Sequence, residues 1–244
     1  MNFRSNSLNG VCYTCPNRYF RFCKSLLNGS SSEFDAHAVK NLVFTAKQFL
    51  YHQGDMNHEL FVLREGWVML TRISEDGKRQ VFRSVLPGDI LGFQQYLHSP
   101  AIYSAIALVD SVVCRVPNIV KLCSTQPEIA LSLASAAACD MMLTERYLTQ
   151  ITHRSAREKI AFMILELYHR LRLQRLNRGY SIHFPLKQED IADTLGLTTI
   201  HVNRTLHALK DEGLLAIHKH ELTILDYAAL CTLVGSEFEM LATN

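Results

Sequence analysis

The stretch FPLKQEDIADTLGLTTIHVNRTLHALKDEGLLAIHKHELTIL, residues 184–225, decides the architecture. Two short helical patterns flank the break Gly196-Leu197-Thr198, and a small hairpin pattern follows. That order is the layout of a winged helix-turn-helix, which puts its second helix into a DNA major groove. Lys187 to Leu195 reads as the first helix, with Ile191 and Leu195 inward and Ala192 small enough to lie near the second. Gly196 allows a positive φ at the turn, and the Thr198 hydroxyl can cap the helix that follows. That helix would bury Val202, Leu206 and Leu209 and expose Thr199, Ile200, Asn203 and Arg204, with His207 one turn on.

Each exposed side chain has a chemical reading. Arg204 is the best base reader, because a guanidinium matches guanine O6 and N7 bidentately. Asn203 can read adenine or hold a phosphate, and Ile200 can touch a thymine methyl. Gln188, Thr198 and His201 suit phosphate, which positions without specifying. His218, Lys219 and His220 lie near the tip of the wing. The alternative is a helical pair that binds protein or nothing.

Working toward the N-terminus, Gly179 breaks the chain before this motif, and Arg157 to Leu173 is an amphipathic helix with Ile160, Ile164, Leu167 and Leu171 on one face. Before it, Pro127 opens a helical pattern reaching about Arg154. Ala130, Ala134, Ala137, Met141, Thr144, Leu148 and Ile151 step along it by four and three, as in a helix that pairs with a copy of itself. A helix packed on its own domain is the alternative. Asp140 and Glu145 lie beside the seam, where they can oppose association by like-charge repulsion.

From Lys47 to Pro117 the period falls to two: Phe61, Leu63, Val68 and Leu70 alternate with their neighbours. Turns recur at Gly54-Asp55, Glu65-Gly66, Asp76-Gly77, Pro87-Gly88-Asp89 and Asp110-Ser111. Short strands with evenly spaced turns predict a closed or double-sheet β domain such as a jelly roll. Glu33 to Asn41 reads as a short helix, and Tyr227 to Leu241 as a terminal one. The fold class is therefore α+β: an N-terminal β roll, a long dimerisation helix and a C-terminal winged helix-turn-helix. The expected divisions are a Cys-rich segment at 1–30, the roll at 31–124, the dimerisation helix at 125–154 and the DNA-binding domain at 155–244.

Composition narrows the function classes. With 48% hydrophobic and 20% charged residues in 244, the chain can bury real cores. A net charge of +2 excludes a bulk polycation, so affinity for nucleic acid must come from a local surface. Residues 1–9 are polar, no stretch approaches the length of a membrane span, and a cytoplasmic protein is expected. Thiols stay reduced there, so seven cysteines point to metal, redox chemistry or burial rather than disulfides. Cys12, Cys15 and Cys23 crowd the N-terminus, two residues and then seven apart. Cys123, Cys139 and Cys231 read as packing residues, and Cys114, alone on an apolar strand, can be read the same way. A cupin-like metal enzyme would need His-x-His and Glu on neighbouring strands. His52, His58 and Glu59 lack that spacing, and His218-x-His220 lies in the wing, so no enzyme is expected.

In this order the parts resemble the CRP/FNR family of bacterial transcription regulators. The turn ladder Gly54-Asp55, Gly66, Gly77, Pro87-Gly88-Asp89 and Gly92, followed by Asp190 to Gly213, carries the resemblance over nearly the whole chain. The cyclic-nucleotide branch of the family carries Gly-Glu and then Arg-Ser or Arg-Thr. The matching stretches here are Gly92-Phe93-Gln94-Gln95 and Ile102-Tyr103-Ser104-Ala105. They offer no Glu for a ribose and no Arg for a phosphate, which argues against cAMP, since an uncompensated buried charge is costly. The FNR branch holds a 4Fe–4S cluster on three N-terminal cysteines and one from the roll. The resemblance implies Cys12, Cys15, Cys23 and Cys114 for these, with structural zinc, or no metal, left as alternatives. It also implies oxygen or nitric oxide as signal, a homodimer, a pseudo-palindromic operator and RNA polymerase as partner. The FNR recognition helix presents Glu, two residues, then Ser-Arg. Here Ile200 and Asn203-Arg204 stand in those positions, so only the Arg is kept and the usual half-site is not implied.

Overall fold

The structure is a computed structural model that describes residues 5–6, 12, 15–28, 39–56, 59–93 and 100–235. Contacts divide the chain into two compact units, 1–78 with 82–143 and 79–81 with 144–244. The dividing point at 143/144 lies inside a long helix.

The first unit is a two-sheet roll. Strands β1 (Ser5–Asn6), β2 (Lys40–Phe44), β3 (Phe49–Tyr51), β4 (Leu60–Glu65), β5 (Val68–Ile73), β6 (Arg79–Val85), β7 (Ile90–Leu91), β8 (Ser104–Ala107) and β9 (Ser111–Val116) build it. One sheet runs β1-β2-β9-β4-β7 and the other β3-β8-β5-β6. Between them lies a core that includes Leu42, Phe44, Leu63, Val68, Leu70 and Val113. The turn ladder has a steric basis at Gly88: its φ is +94°, and a Cβ there would lie 2.7 Å from the Phe20 ring.

Two details differ from the sequence reading. Lys40 and Asn41 belong to strand β2, not to a helix, because β2 pairs with β9 along its whole length. Val39, just before the strand, is not helical either, and residues 33–38 lie outside the described residues. The strand β4 is also more than half-buried. Phe61 and Leu63 face the inner core, while Leu60 and Val62 face a second core on the outer side of the sheet.

That second core is what connects the roll to its helices. It gathers Phe22 and Leu26 of α1 (Arg21–Asn28), Ile119 and Leu122 of α2 (Ile119–Thr125), and Ile129 and Leu133 of α3 (Pro127–His153). The α3 helix thus buries one stripe on the roll. It leaves Met141 59% and Leu148 63% exposed, with Ala134 and Thr144 exposed too and Ala137 half-buried. The Ile151 side chain lies outside the described residues. Asp140, expected to repel a second copy, is paired instead. Its carboxylate accepts from Arg83 Nη2 at 2.9 Å, and Arg83 is buried against the Ile90 carbonyl and Asp89. Glu145 is exposed.

The second unit holds α4 (Ala156–Leu173), β10 (Ser181–His183), α5 (Gln188–Leu195), α6 (Thr199–Asp211), the wing strands β11 (Leu215–His218) and β12 (Glu221–Ile224), and α7 (Tyr227–Val234). Ser155 and Glu158 form a capping box that starts α4. Every position of α4 from Lys159 to His169 is buried, so it is the central helix of its unit rather than a one-faced surface helix. One buried charge there is compensated: Glu166 accepts from Tyr147 Oη at 3.0 Å and pairs with Arg170 at 3.1 Å.

Candidate metal centre and nucleic-acid interface

The four cysteines singled out in the sequence come together. Cys12, Cys15, Cys23 and Cys114 all line one cavity of about 30 Å³, with Asn17, Arg18, Leu26, Val62, Arg64 and Val116. The local chain explains how. Pro16 opens a single 3-10 turn over Pro16–Tyr19, and the Arg18 N–H donates to the Cys15 carbonyl at 3.1 Å. Asn17, which is buried, donates through Nδ2 to the carbonyls of Leu63 and Arg64 at 3.2 and 3.0 Å, tying the turn to the end of β4. Phe22 and Leu26 then dock α1 on the outer core, which sets Cys23 over the sheet. Cys114 lies directly across from Asn41 of β2 and Val62 of β4, so it shares the outer face with Val62.

The electrostatics follow from burial. Desolvation pushes the Cys114 thiol up to about 12, and the neighbouring Cys12 and Cys15 push the same way. Cys23 is raised further, first by burial and then by Cys114, Cys15 and Cys12. Cys12 is raised by burial and by Cys15. The Arg64 guanidinium opposes the rise at Cys12 and Cys114. Free thiolates are therefore disfavoured at Cys12, Cys23 and Cys114, whereas a redox-active thiol switch needs a depressed pKa. A cationic metal group would compensate the charge of four thiolates, and the donor set is the one that iron–sulfur clusters take. Among the described residues no three His, Cys, Asp or Glu side chains form a group that could hold a metal ion. Of the other cysteines, Cys123 is half-buried beside the outer core, Cys231 is half-buried and Cys139 is exposed.

Sequence reasoning did not single out Asn17, Asn41 or Arg64. Asn41 accepts from Cys114 Sγ at 3.2 Å across 73 residues of chain, and nothing local marks it. His58, Gln94 and Gln95 lie outside the described residues. Tyr103, in the stretch compared above with the cyclic-nucleotide branch, stacks on Phe82 with ring centroids 4.5 Å apart.

In the second unit the helix pair is built as its sequence predicts. Gly196 caps α5 at φ +63°, and the Thr198 hydroxyl accepts from the His201 N–H at 3.2 Å. Val202, Leu206 and Leu209 are buried. Thr199, Ile200, His201, Asn203 and Arg204 are exposed, Ile200 by 69%. Gln188 reaches across from α5, its Oε1 accepting from Asn203 Nδ2 at 3.2 Å. Gln188, Thr199, Ile200, Asn203, Arg204 and His207 thus line one open surface. The N-terminus of α6 adds a partial positive charge suited to phosphate. Lys219, at φ +53°, turns the wing between His218 and His220, all three exposed. Among the described residues no helix is long and apolar enough to cross a membrane.

Comparison with known proteins joins the two halves. The cyclic nucleotide-binding domain family matches residues 41–120, and the Crp-like helix-turn-helix domain family matches residues 158–233. The nitrogen fixation regulation protein FixK of Bradyrhizobium diazoefficiens is 27% identical over 227 residues, 92% of this chain and 94% of that protein. The transcriptional activator protein FnrL of Cereibacter sphaeroides is 27% identical over 80% of each chain. Among solved structures, FixK2 from Bradyrhizobium japonicum has a TM-score of 0.74 at 23% identity, covering 82% of this chain and 98% of that one. That last likeness is one of fold.

Proposed function

We propose, for a chain that belongs to the CRP/FNR family of transcription regulators, that it is an FNR-type sensor of oxygen or nitric oxide acting in the cytoplasm. The chain regulates transcription and is not an enzyme. The finer reading is that Cys12, Cys15, Cys23 and Cys114 hold a 4Fe–4S cluster. It is carried by one observation: four cysteines from three segments of the chain line a single cavity. Bound there, the cluster supplies iron chemistry that reacts with oxygen or nitric oxide.

The rest of the mechanism belongs to the chain. Ligated thiolates on α1, on the segment before it and on β9 hold α1 against the roll. Phe22 and Leu26 share the outer core with Ile129 and Leu133, so the docking of α1 sets the position of α3. Along α3, Ala137, Met141, Thr144, Leu148 and Ile151 form the seam for a second copy. A homodimer presents two recognition helices about 34 Å apart to successive major grooves of a pseudo-palindromic operator. Arg204 reads guanine, with Gln188, Thr198, Thr199, Ile200, His201 and Asn203 around it, and RNA polymerase is the protein partner of the bound dimer. Release of α1 weakens the dimer, and a dimer near balance needs only a few kcal/mol to switch. Phe93 and Tyr103 offer neither charge that a cyclic nucleotide needs, which supports a roll that does not bind cAMP.

A second reading keeps the regulator and changes the signal. That protein is gated by another small ligand, with zinc or nothing at the cysteines. Selection of an operator from random DNA, followed by gel-shift titration, separates the two. The cluster reading predicts tight binding by protein prepared without oxygen, and weak binding after air or in Cys114→Ser. Equal affinity in all three states would overturn it.

A further inference from the structure

The Asn41 side chain is buried at 6% exposure, opposite Cys114 and within hydrogen-bond reach of its sulfur. Its neighbour across β9 is apolar Val62. A buried carboxamide placed on a cysteine is not required by packing. An apolar side chain would fill the outer face without burying a polar group. The contact also has a direction: the thiol donates and Asn41 Oδ1 accepts at 3.2 Å. A coordinated cysteine sulfur has no proton to donate and accepts instead. A carboxamide can serve both states, because its oxygen and its NH2 group are nearly the same size and its terminal torsion is roughly two-fold.

We propose that Asn41 is a positioning residue for the Cys114 ligand, accepting from the thiol in the metal-free protein and, after a half-turn of its amide, donating to the coordinated sulfur. This rests on the FNR-type reading above. Hydrogen bonds from outer groups orient metal ligands and tune the site, and donation to cluster sulfurs helps set the reduction potential. An N–H donor stabilises the more negative, reduced state. Asn41 therefore raises the midpoint potential of the bound cluster, and with it the resistance of the reduced state to oxidation.

The test uses the full chain, reconstituted with iron and sulfide without oxygen. Midpoint potentials are measured by redox titration for wild type, Asn41→Leu, Asn41→Asp and Asn41→Ser. Leu fills the site with no donor, Asp is isosteric but accepts only, and Ser retains a donor. For Asn41→Leu the reduced-to-oxidised ratio at the wild-type midpoint should fall about tenfold, about 59 mV for a one-electron couple. Asn41→Asp should fall further, and Asn41→Ser should lie between Leu and wild type. Equal potentials in all four proteins overturn the inference and leave the cluster reading standing. Iron uptake by wild type but by none of the variants shows a purely structural residue and overturns it too. A wild type that takes up no iron overturns the underlying reading itself.

Discussion

Phe22→Ala tests the mechanical link between the cysteines and the dimer helix. Phe22 is 3% exposed and shares the outer core with Leu26, Ile129 and Leu133. Truncating a buried Phe to Ala costs about 3–5 kcal/mol. The helix that carries it has eight residues, too short to persist without tertiary contacts. The loss therefore falls on the docking of α1, whereas the core between the two sheets contains no residue of α1. Three to five kcal/mol is roughly two to three and a half decades in that docking equilibrium. The thiolates would still bind the cluster and tether α1, but without the Phe22 ring its packing no longer bears on Ile129 and Leu133. Sedimentation equilibrium of iron-loaded and iron-free protein gives the dimer constants. In wild type the two should differ by the few kcal/mol needed to switch. In Phe22→Ala the difference should collapse while the iron content holds. An undiminished gap between loaded and metal-free variant would refute transmission through α1.

Three other outcomes follow from the same geometry. Asp140→Ala removes the carboxylate from buried Arg83; with that carboxylate's side chain 45% exposed, the cost should be about 1–2 kcal/mol, read as a lower urea midpoint. Glu145→Ala should leave that midpoint unchanged and strengthen dimerisation of the iron-free protein, since exposed Glu145 is the charge left beside the seam. Arg204→Ala should weaken operator binding by about 1–3 kcal/mol and relax preference at one base position in a mutated-operator series. Glu158 is held at about 2 by the Ser155 hydroxyl and N–H and by Arg154. Its folded pKa lies below the unfolded value near 4.5, so its contribution is complete above about pH 4.5 and fades as pH falls toward 2. Its side chain is 30% exposed, so that contribution is about 1 kcal/mol. The stability gap between wild type and Glu158→Gln should therefore be present at pH 6 and nearly gone at pH 2 in chemical denaturation.

The sequence made the parts legible where local chemistry specifies them. Gly196 and Thr198 occupy the turn and cap that their side chains permit, and Val202, Leu206 and Leu209 carry the buried helical period. The turn ladder was visible because positive φ selects glycine, at Gly77 and Gly88 for example. The cysteine quartet was legible as residue type and spacing. Its arrangement was not, because the face on which Cys114 lies depends on the register of β9 with β4, and a one-residue slip would reverse it. Asn41 was invisible for the same reason: a polar segment that reads as helix is captured as a strand by pairing with β9. The Arg83–Asp140 pair joins residues 57 apart, and no local pattern predicts it. Two-faced burial of β4 was missed because alternation implies one buried face, and the covering helices α1 to α3 are distant in sequence.

Metal and sulfide analysis of protein purified without oxygen tests the central claim most directly. The account predicts a brown protein with iron and acid-labile sulfide in equal amounts, about four of each per chain, and loss of both in Cys114→Ser. A colourless protein with one zinc per chain, or with no metal, would contradict it.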